Sequence, residues 1–323
     1  MRNTARILQC KEEARLSAAT RQGRGAAIVA GLVYAAIWGG STYYLYVKGN
    51  EDWFTGALVL GIFGLALSGV AWLLTRGANA PAIEVKRPAL ESGAVLVYLA
   101  LYAVFFLGYG MSAARAALPA GQQQELLVMG LKLGVHVLLP MLLLMLLGVR
   151  LAPLLQLGLS GRKFWRTLIV LGAIFLGLIC VISPSLKNIA DTDAPAAQLA
   201  WIAPVSFVWI AIEAGLNEEF LFRAVLQTRL SAWFGSMWAA VLVMALLFGV
   251  AHAPGLFLRG GPDDDGWSTD PWQTIAYTFS VLSPMGLLFG LIYARTKSLL
   301  LVVLLHGLVD VLPNMAEFIR IWG

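Results

Sequence analysis

The chain has 323 residues, 59% of them hydrophobic and 13% charged, with a net charge of +5 and a mean hydropathy of +0.77. A water-soluble domain of this size carries about a quarter charged residues. So large an apolar excess cannot be buried in one aqueous core and needs lipid as its solvent. The positive charge does not make a nucleic-acid surface, because the Lys and Arg residues punctuate the apolar runs instead of forming one patch. Cys10 and Cys180 fall in a polar terminus and an apolar run, with neither a metal-ligand spacing nor an expected disulfide.

Residues 1–25 are polar and basic and longer than the leading segment of a signal peptide, so the first apolar run reads as a retained span. Apolar length predicts nine transmembrane helices, at about 26–48, 54–75, 92–113, 126–149, 166–184, 200–220, 236–253, 273–294 and 298–318. Eight is the alternative if one early hairpin does not cross. The sixth helix is expected to continue in amphipathic form to about residue 232, carrying Arg223, Gln227 and Arg229. The fold class is therefore an all-α polytopic bundle. Its expected divisions are a cytoplasmic N-terminus (1–25), N-terminal transmembrane helices (26–198) and a C-terminal core (199–323).

With the N-terminus inside, 17 Lys and Arg residues fall on the inner side and five on the outer, Lys132 lying within a span. This asymmetry predicts a bacterial inner-membrane type of protein, N-terminus cytoplasmic and C-terminus outside. The loop from Gly255 to Pro271, with Asp263, Asp264 and Asp265, reads as a solvated outer loop, a substrate gate being the alternative. Lys132 and His136, one turn apart in the fourth span, are expected to face the bundle interior and hydrogen-bond locally, the lining of a polar channel being the alternative. Pro140 and Pro184 are expected to kink their spans. The eleven tryptophans suit interfacial belts.

Ionisable groups inside a bilayer cost a few kcal/mol or more each and persist where they pair or act. They concentrate in the C-terminal part: Glu213, Glu218, Glu219, Arg223, His252, His306 and Asp310. In Glu218-Glu219-Phe220-Leu221-Phe222-Arg223, Glu219 and Arg223 lie four apart in the favourable order for an ion pair. Glu218, about 100° around the helix, is free for another partner. A carboxylate shielded from water suits general base chemistry; the plain alternative is a helix-end salt bridge. Phe248 and His252 are one turn apart, so the ring can restrict the imidazole. A lone histidine bonded to a backbone carbonyl is the plain alternative there.

Glu218 lies about 16 residues before the expected turn at 233–236 and His252 about 17 after it. At about 1.5 Å per residue, both sit roughly 25 Å from that turn, so antiparallel neighbours would bring them to one depth. His306 and Asp310 share a helical face, and Gly307 leaves room for a close helix or a substrate backbone. Their plain alternative is an interhelical hydrogen bond.

The order E-E-x-x-x-R, F-x-x-x-H, H-x-x-x-D on successive helices resembles the CAAX-protease/bacteriocin-processing family, which includes the CAAX prenyl endopeptidases. The resemblance covers about residues 199–318. It implies an intramembrane glutamate peptidase acting on a membrane-associated or membrane-spanning protein among membrane lipids. Glu218 would activate water with the help of His252, Glu219 and Arg223 would hold the site in shape with Phe248, and His306 with Asp310 would stabilise the oxyanion. Asn is common in the family where this chain has Asp310. An ionised Asp cannot donate to an oxyanion, so Asp310 is either protonated or accepts the N–H of His306 and orients it. The resemblance implies no cofactor; Glu218, His252 and His306 would be the ligands if a zinc ion were held. Two other classes remain: a non-enzymatic relative acting in bacteriocin immunity or as a scaffold, and a transporter using the same buried acids. No inverted repeat or paired broken helix favours the latter.

Overall fold

A computed structural model describes the backbone of residues 2–155, 158, 161–262 and 264–323, and side chains from residue 22 onward within those ranges. Asp263 of the acidic loop and the side chain of Cys10 lie outside the described residues. Among the described residues nine helices are long and apolar enough to cross a membrane. They are α1 (Gln22–Val47), α2 (Asp52–Leu74), α3 (Pro88–Ala116), α4 (Gln122–Leu146) and α5 (Gly161–Ile182), followed by α6 (Ala196–Phe234), α7 (Met237–Arg259), α8 (Pro271–Thr296) and α9 (Leu299–Trp322). The protein is an integral membrane helix bundle of the predicted class.

The polar N-terminal segment does not separate from the first span: one helix runs from Arg2 to Val47. Pro184 ends a helix rather than kinking one; α5 stops at Ile182, and Pro184 opens the short helix Ser185–Ala190. Pro140 follows a π-helical stretch, Gly134–Leu138, within α4. A proline ring there removes one N–H from the ladder and displaces the preceding carbonyl, which the wider turn absorbs. The acidic loop is solvated, with Asp264 and Asp265 exposed and an Asp264 carboxylate oxygen accepting from the Gly261 amide at 2.8 Å.

The nine helices are not equally enclosed. The apolar window of α1 is 11% buried and that of α8 is 72% buried. α8 is thus the central post, with α7 and α9 next in burial, while α1 to α5 turn most of their apolar surface outward. In lipid this exposure carries no hydrophobic penalty. The 39 residues of α6 would span about 58 Å as a straight helix, nearly twice the hydrocarbon thickness. Its second half therefore runs on past the apolar stretch, and Arg229 on it meets Glu91 of α3 at 3.3 Å with both side chains buried.

Because helices in lipid associate through close packing rather than through exclusion of water, small residues mark the contacts. α7 crosses α8 where Gly249 faces the Thr278 carbonyl: a Cβ on Gly249 would stand 2.5 Å from that oxygen. α9 crosses α6 where Gly307 faces Ala211, at 2.9 Å from such a Cβ to the Ala211 methyl. Of the two uses open to Gly307, the structure shows the close helix approach. Gly249→Ala is therefore expected to lower the thermal midpoint in detergent. Gly61→Ala, with nothing within 4 Å, should raise it, the ordinary helix preference adding about 0.5–1 kcal/mol of stability.

α8 and α9 are joined through Lys297, a left-handed residue (φ 49°) that closes α8. Its ammonium lies 5.0 Å from the centroid of the Tyr293 ring. Burial pushes the Lys297 pKa down to about 8. Between pH 8 and the ordinary lysine range, the unfolded chain holds a proton that the folded chain has released. Stability to unfolding should thus rise with pH across that window. Thermal midpoints measured from pH 7.5 to 10 should show this rise, and Lys297→Met should flatten it.

Candidate active site

Glu218 on α6, His252 on α7 and His306 with Asp310 on α9 converge. The two carboxylate oxygens of Glu218 face different imidazoles: Oε1 lies 3.8 Å from His252 Nε2 and Oε2 lies 3.8 Å from His306 Nε2. Glu219 turns the other way, with Oε2 3.3 Å from Arg223 Nε, both side chains fully buried, and Oε1 2.8 Å from His306 Nδ1. His306 Nε2 is also 3.1 Å from Asp310 Oδ2. Both nitrogens of His306 face carboxylate oxygens, Glu219 at Nδ1 and Asp310 and Glu218 at Nε2.

Local backbone chemistry explains these placements. Glu218 sits between two π-helical stretches of α6, Ala211–Leu216 and Glu219–Gln227. These wider turns change the phase along the helix, as π-bulges at functional sites commonly do. On α7 the α-helical ladder ends at Ala251 and resumes at Ala253, with Pro254 in the first turn of the resumed helix. Pro254 has no N–H to give, and the ladder tightens: the His252 amide bonds the Gly249 carbonyl at 3.0 Å. The Phe248 carbonyl accepts instead from the imidazole, His252 Nδ1 donating at 2.7 Å. That bond fixes the proton on Nδ1 and leaves Nε2 directed at Glu218. The carbonyl-bonded histidine considered from the sequence is present, and it is the orienting device of the same residue.

Aromatic rings hold the polar groups. Phe248 packs edge-on against His252 with centroids 4.9 Å apart, and the Arg223 guanidinium stands 4.6 Å over the Phe248 ring. Phe289 of α8 stacks on His306 at 5.1 Å and 19°. The nitrogens of Arg223 have no hydrogen-bond partner among the described residues. Its charge is offset by the Glu219 carboxylate and the face of Phe248. Glu219 therefore joins Arg223 to His306, a link that the i,i+4 spacing alone does not show.

The site also draws on the N-terminal helices, which the sequence reading set apart from it. Glu218 and His252 open onto a cavity of about 170 Å³ whose walls include Tyr102 of α3, Lys132 and His136 of α4, and Glu213 of α6. Lys132 and Glu213 form an ion pair. His136 makes the local bond expected of it, Nδ1 donating to the Lys132 carbonyl at 2.9 Å, and its Nε2 meets the Tyr102 hydroxyl at 2.5 Å. Asn217 is buried, its amide donating to the Glu213 carbonyl. His306 and Asp310 are not among these walls and reach Glu218 from the α9 side. Among the described residues no group of three His, Cys, Asp or Glu side chains is arranged to hold a metal ion.

The chain matches no curated protein and no solved structure. Residues 199–312 match the family model described as type II CAAX prenyl endopeptidase Rce1-like. That segment covers about a third of the chain, from the start of α6 into α9, and contains Glu218, Glu219, Arg223, Phe248, His252, His306 and Asp310. Residues 199–312 of this membrane protein are thus similar to the Rce1-like CAAX endopeptidases.

Proposed function

We propose that this protein is an intramembrane endopeptidase that hydrolyses a peptide bond of a membrane-associated protein, with Glu218 as the base. The observation that carries this reading is the Glu218 carboxylate, with one oxygen 3.8 Å from each of two imidazoles. A water hydrogen-bonded to both Glu218 Oε1 and His252 Nε2 fits that separation. Glu218 takes a proton from this water as its oxygen attacks the scissile carbonyl. The proton then passes to the leaving amine, with His252 Nε2 facing the same space. The Nε2 N–H of His306, shared with Asp310 Oδ2 at 3.1 Å, donates to the developing oxyanion. Glu219, Arg223 and Phe248 hold His306 and His252 in place. No step requires a resident metal or other cofactor.

The distribution of Lys and Arg supports an inner-membrane type of protein with the N-terminus in the cytoplasm and the C-terminus outside. The test is a comparison of protein termini in cells carrying the native protein and cells carrying the Glu218→Ala variant at equal abundance. A new terminus in a membrane-associated protein, seen only with the native form, supports the peptidase and names its substrate. Identical termini together with a phenotype that survives Glu218→Ala would replace it with a non-enzymatic role. Proton-coupled flux in liposomes, lost in Glu218→Gln, would replace it with a transporter.

A further inference from the structure

We propose that Tyr102, on a helix outside the family-like segment, binds the substrate backbone: its hydroxyl oxygen accepts an amide N–H of the peptide lying against Glu218 and His252. This inference rests on the peptidase reading above. It follows from counting protons along one short chain of contacts. The Lys132 carbonyl can only accept, so His136 Nδ1, 2.9 Å away, carries a hydrogen. His136 is buried between the rings of Tyr102 and Phe106, with centroids 4.7 and 6.4 Å away, and it makes no carboxylate contact among the described residues. In the one-proton ring that suits such a place, Nε2 is bare and accepts. The Tyr102 hydroxyl at 2.5 Å must then point its hydrogen at Nε2.

What remains of Tyr102 toward the cavity is the oxygen with its lone pairs. A tyrosine whose hydrogen is free could donate or accept; His136 removes the first option. The other polar wall groups have partners of their own, Arg115 pairing with Glu125 and Arg259 donating to the Leu107 carbonyl. Lys132 and Glu213 pair with each other, and Glu218 faces the two catalytic imidazoles. A peptide strand crossing this cavity brings N–H groups that must leave water, and each left unmatched costs its desolvation. Tyr102 offers the acceptor. The arrangement also places a substrate contact on α3, so the N-terminal helices help to define which peptide segment fits.

The test uses the full-length protein in liposomes and a fluorogenic peptide carrying the cleavage site mapped as above. A companion series of the same peptide bears single N-methyl groups at the amides flanking the scissile bond. Tyr102→Phe removes one oxygen and is expected to raise KM about tenfold with kcat within about twofold, the pattern of a contact present equally in ground and transition states. In the native protein, one N-methylated amide should lose a similar factor, and Tyr102→Phe should add nothing to that peptide's loss. A purely structural Tyr102 would give the same further loss on every peptide, which overturns the inference, as does an unchanged KM. If the variant does not accumulate, the native series decides alone: one sensitive amide supports the contact, and none overturns it. If the native protein and Glu218→Ala cut the peptide equally, the peptidase reading itself is lost and this contact with it.

Discussion

Replacing Glu218 by alanine should lower the cleavage rate by about 10²–10⁴-fold, the range for loss of a positioned general base, while leaving the helix bundle intact. The fold should tolerate the change because Glu218 is the partly accessible carboxylate of the pair; its side chain is 22% exposed, whereas that of Glu219 is wholly buried. Glu218→Gln keeps the shape and should lose as much, since an amide cannot take the proton of the attacking water. His252→Ala and His306→Ala should be similarly inactive. Because Glu218 and His252 act on one water, the double variant should be scarcely worse than either single one. A chelator should leave the native rate unchanged. A single-turnover assay in liposomes measures all of these. Activity retained in Glu218→Gln would remove the proposed base.

Arg223→Ala should be the most destabilising single change in the core, at about 3–5 kcal/mol. The change strands the Glu219 carboxylate in a site with no water contact, where the remaining partner is His306 at 2.8 Å. It also removes the cation from the face of Phe248, and Phe248 is the ring against which His252 rests. Little folded protein should accumulate, and its thermal midpoint in detergent should fall well below that of the native form. The paired change Glu219→Leu with Arg223→Met should recover most of the stability, since replacing a whole buried ion pair with apolar groups of similar size is often neutral. Activity should not return, because His306 loses the acceptor for its Nδ1. Recovery of both would show that the pair supports packing alone. A fully stable Arg223→Ala would show that the buried charge needs no partner.

How much of this was legible in the sequence depended on the range of the interaction. The nine spans follow from apolar length, and all nine helices lie over the expected runs. The pairing of Glu219 with Arg223 follows from helical spacing, and the meeting of Glu218 with His252 follows from equal distances to a turn. That turn is made by Gly235, in the left-handed region, and Ser236, whose hydroxyl accepts from the Ala239 amide. The π-helical stretches around Glu218 were not visible, because no proline or glycine pattern specifies where an α-helix will widen. Pro254 was visible in the sequence, and it signals the break that turns the His252 ring toward the Phe248 carbonyl.

The bond from Glu219 to His306 joins residues 87 positions apart, and spacing carries no information at that distance. The contribution of Tyr102 was missed for a similar reason. The one-turn spacing from Lys132 to His136 was seen, but which neighbour the helix would turn toward is set by packing across the bundle.

The division of labour between Arg223 and His306 bears on biosynthesis. A ribosome delivers α6 to the bilayer before it has made α9, and the Glu219 carboxylate must enter an oily environment while the imidazole that later binds it does not yet exist. Arg223, four residues downstream on the same helix, emerges almost at once and can neutralise that charge during insertion. The chain thus carries on α6 a temporary counter-ion that stays on as a permanent one, so an acid needed at the end of assembly can be tolerated at its beginning.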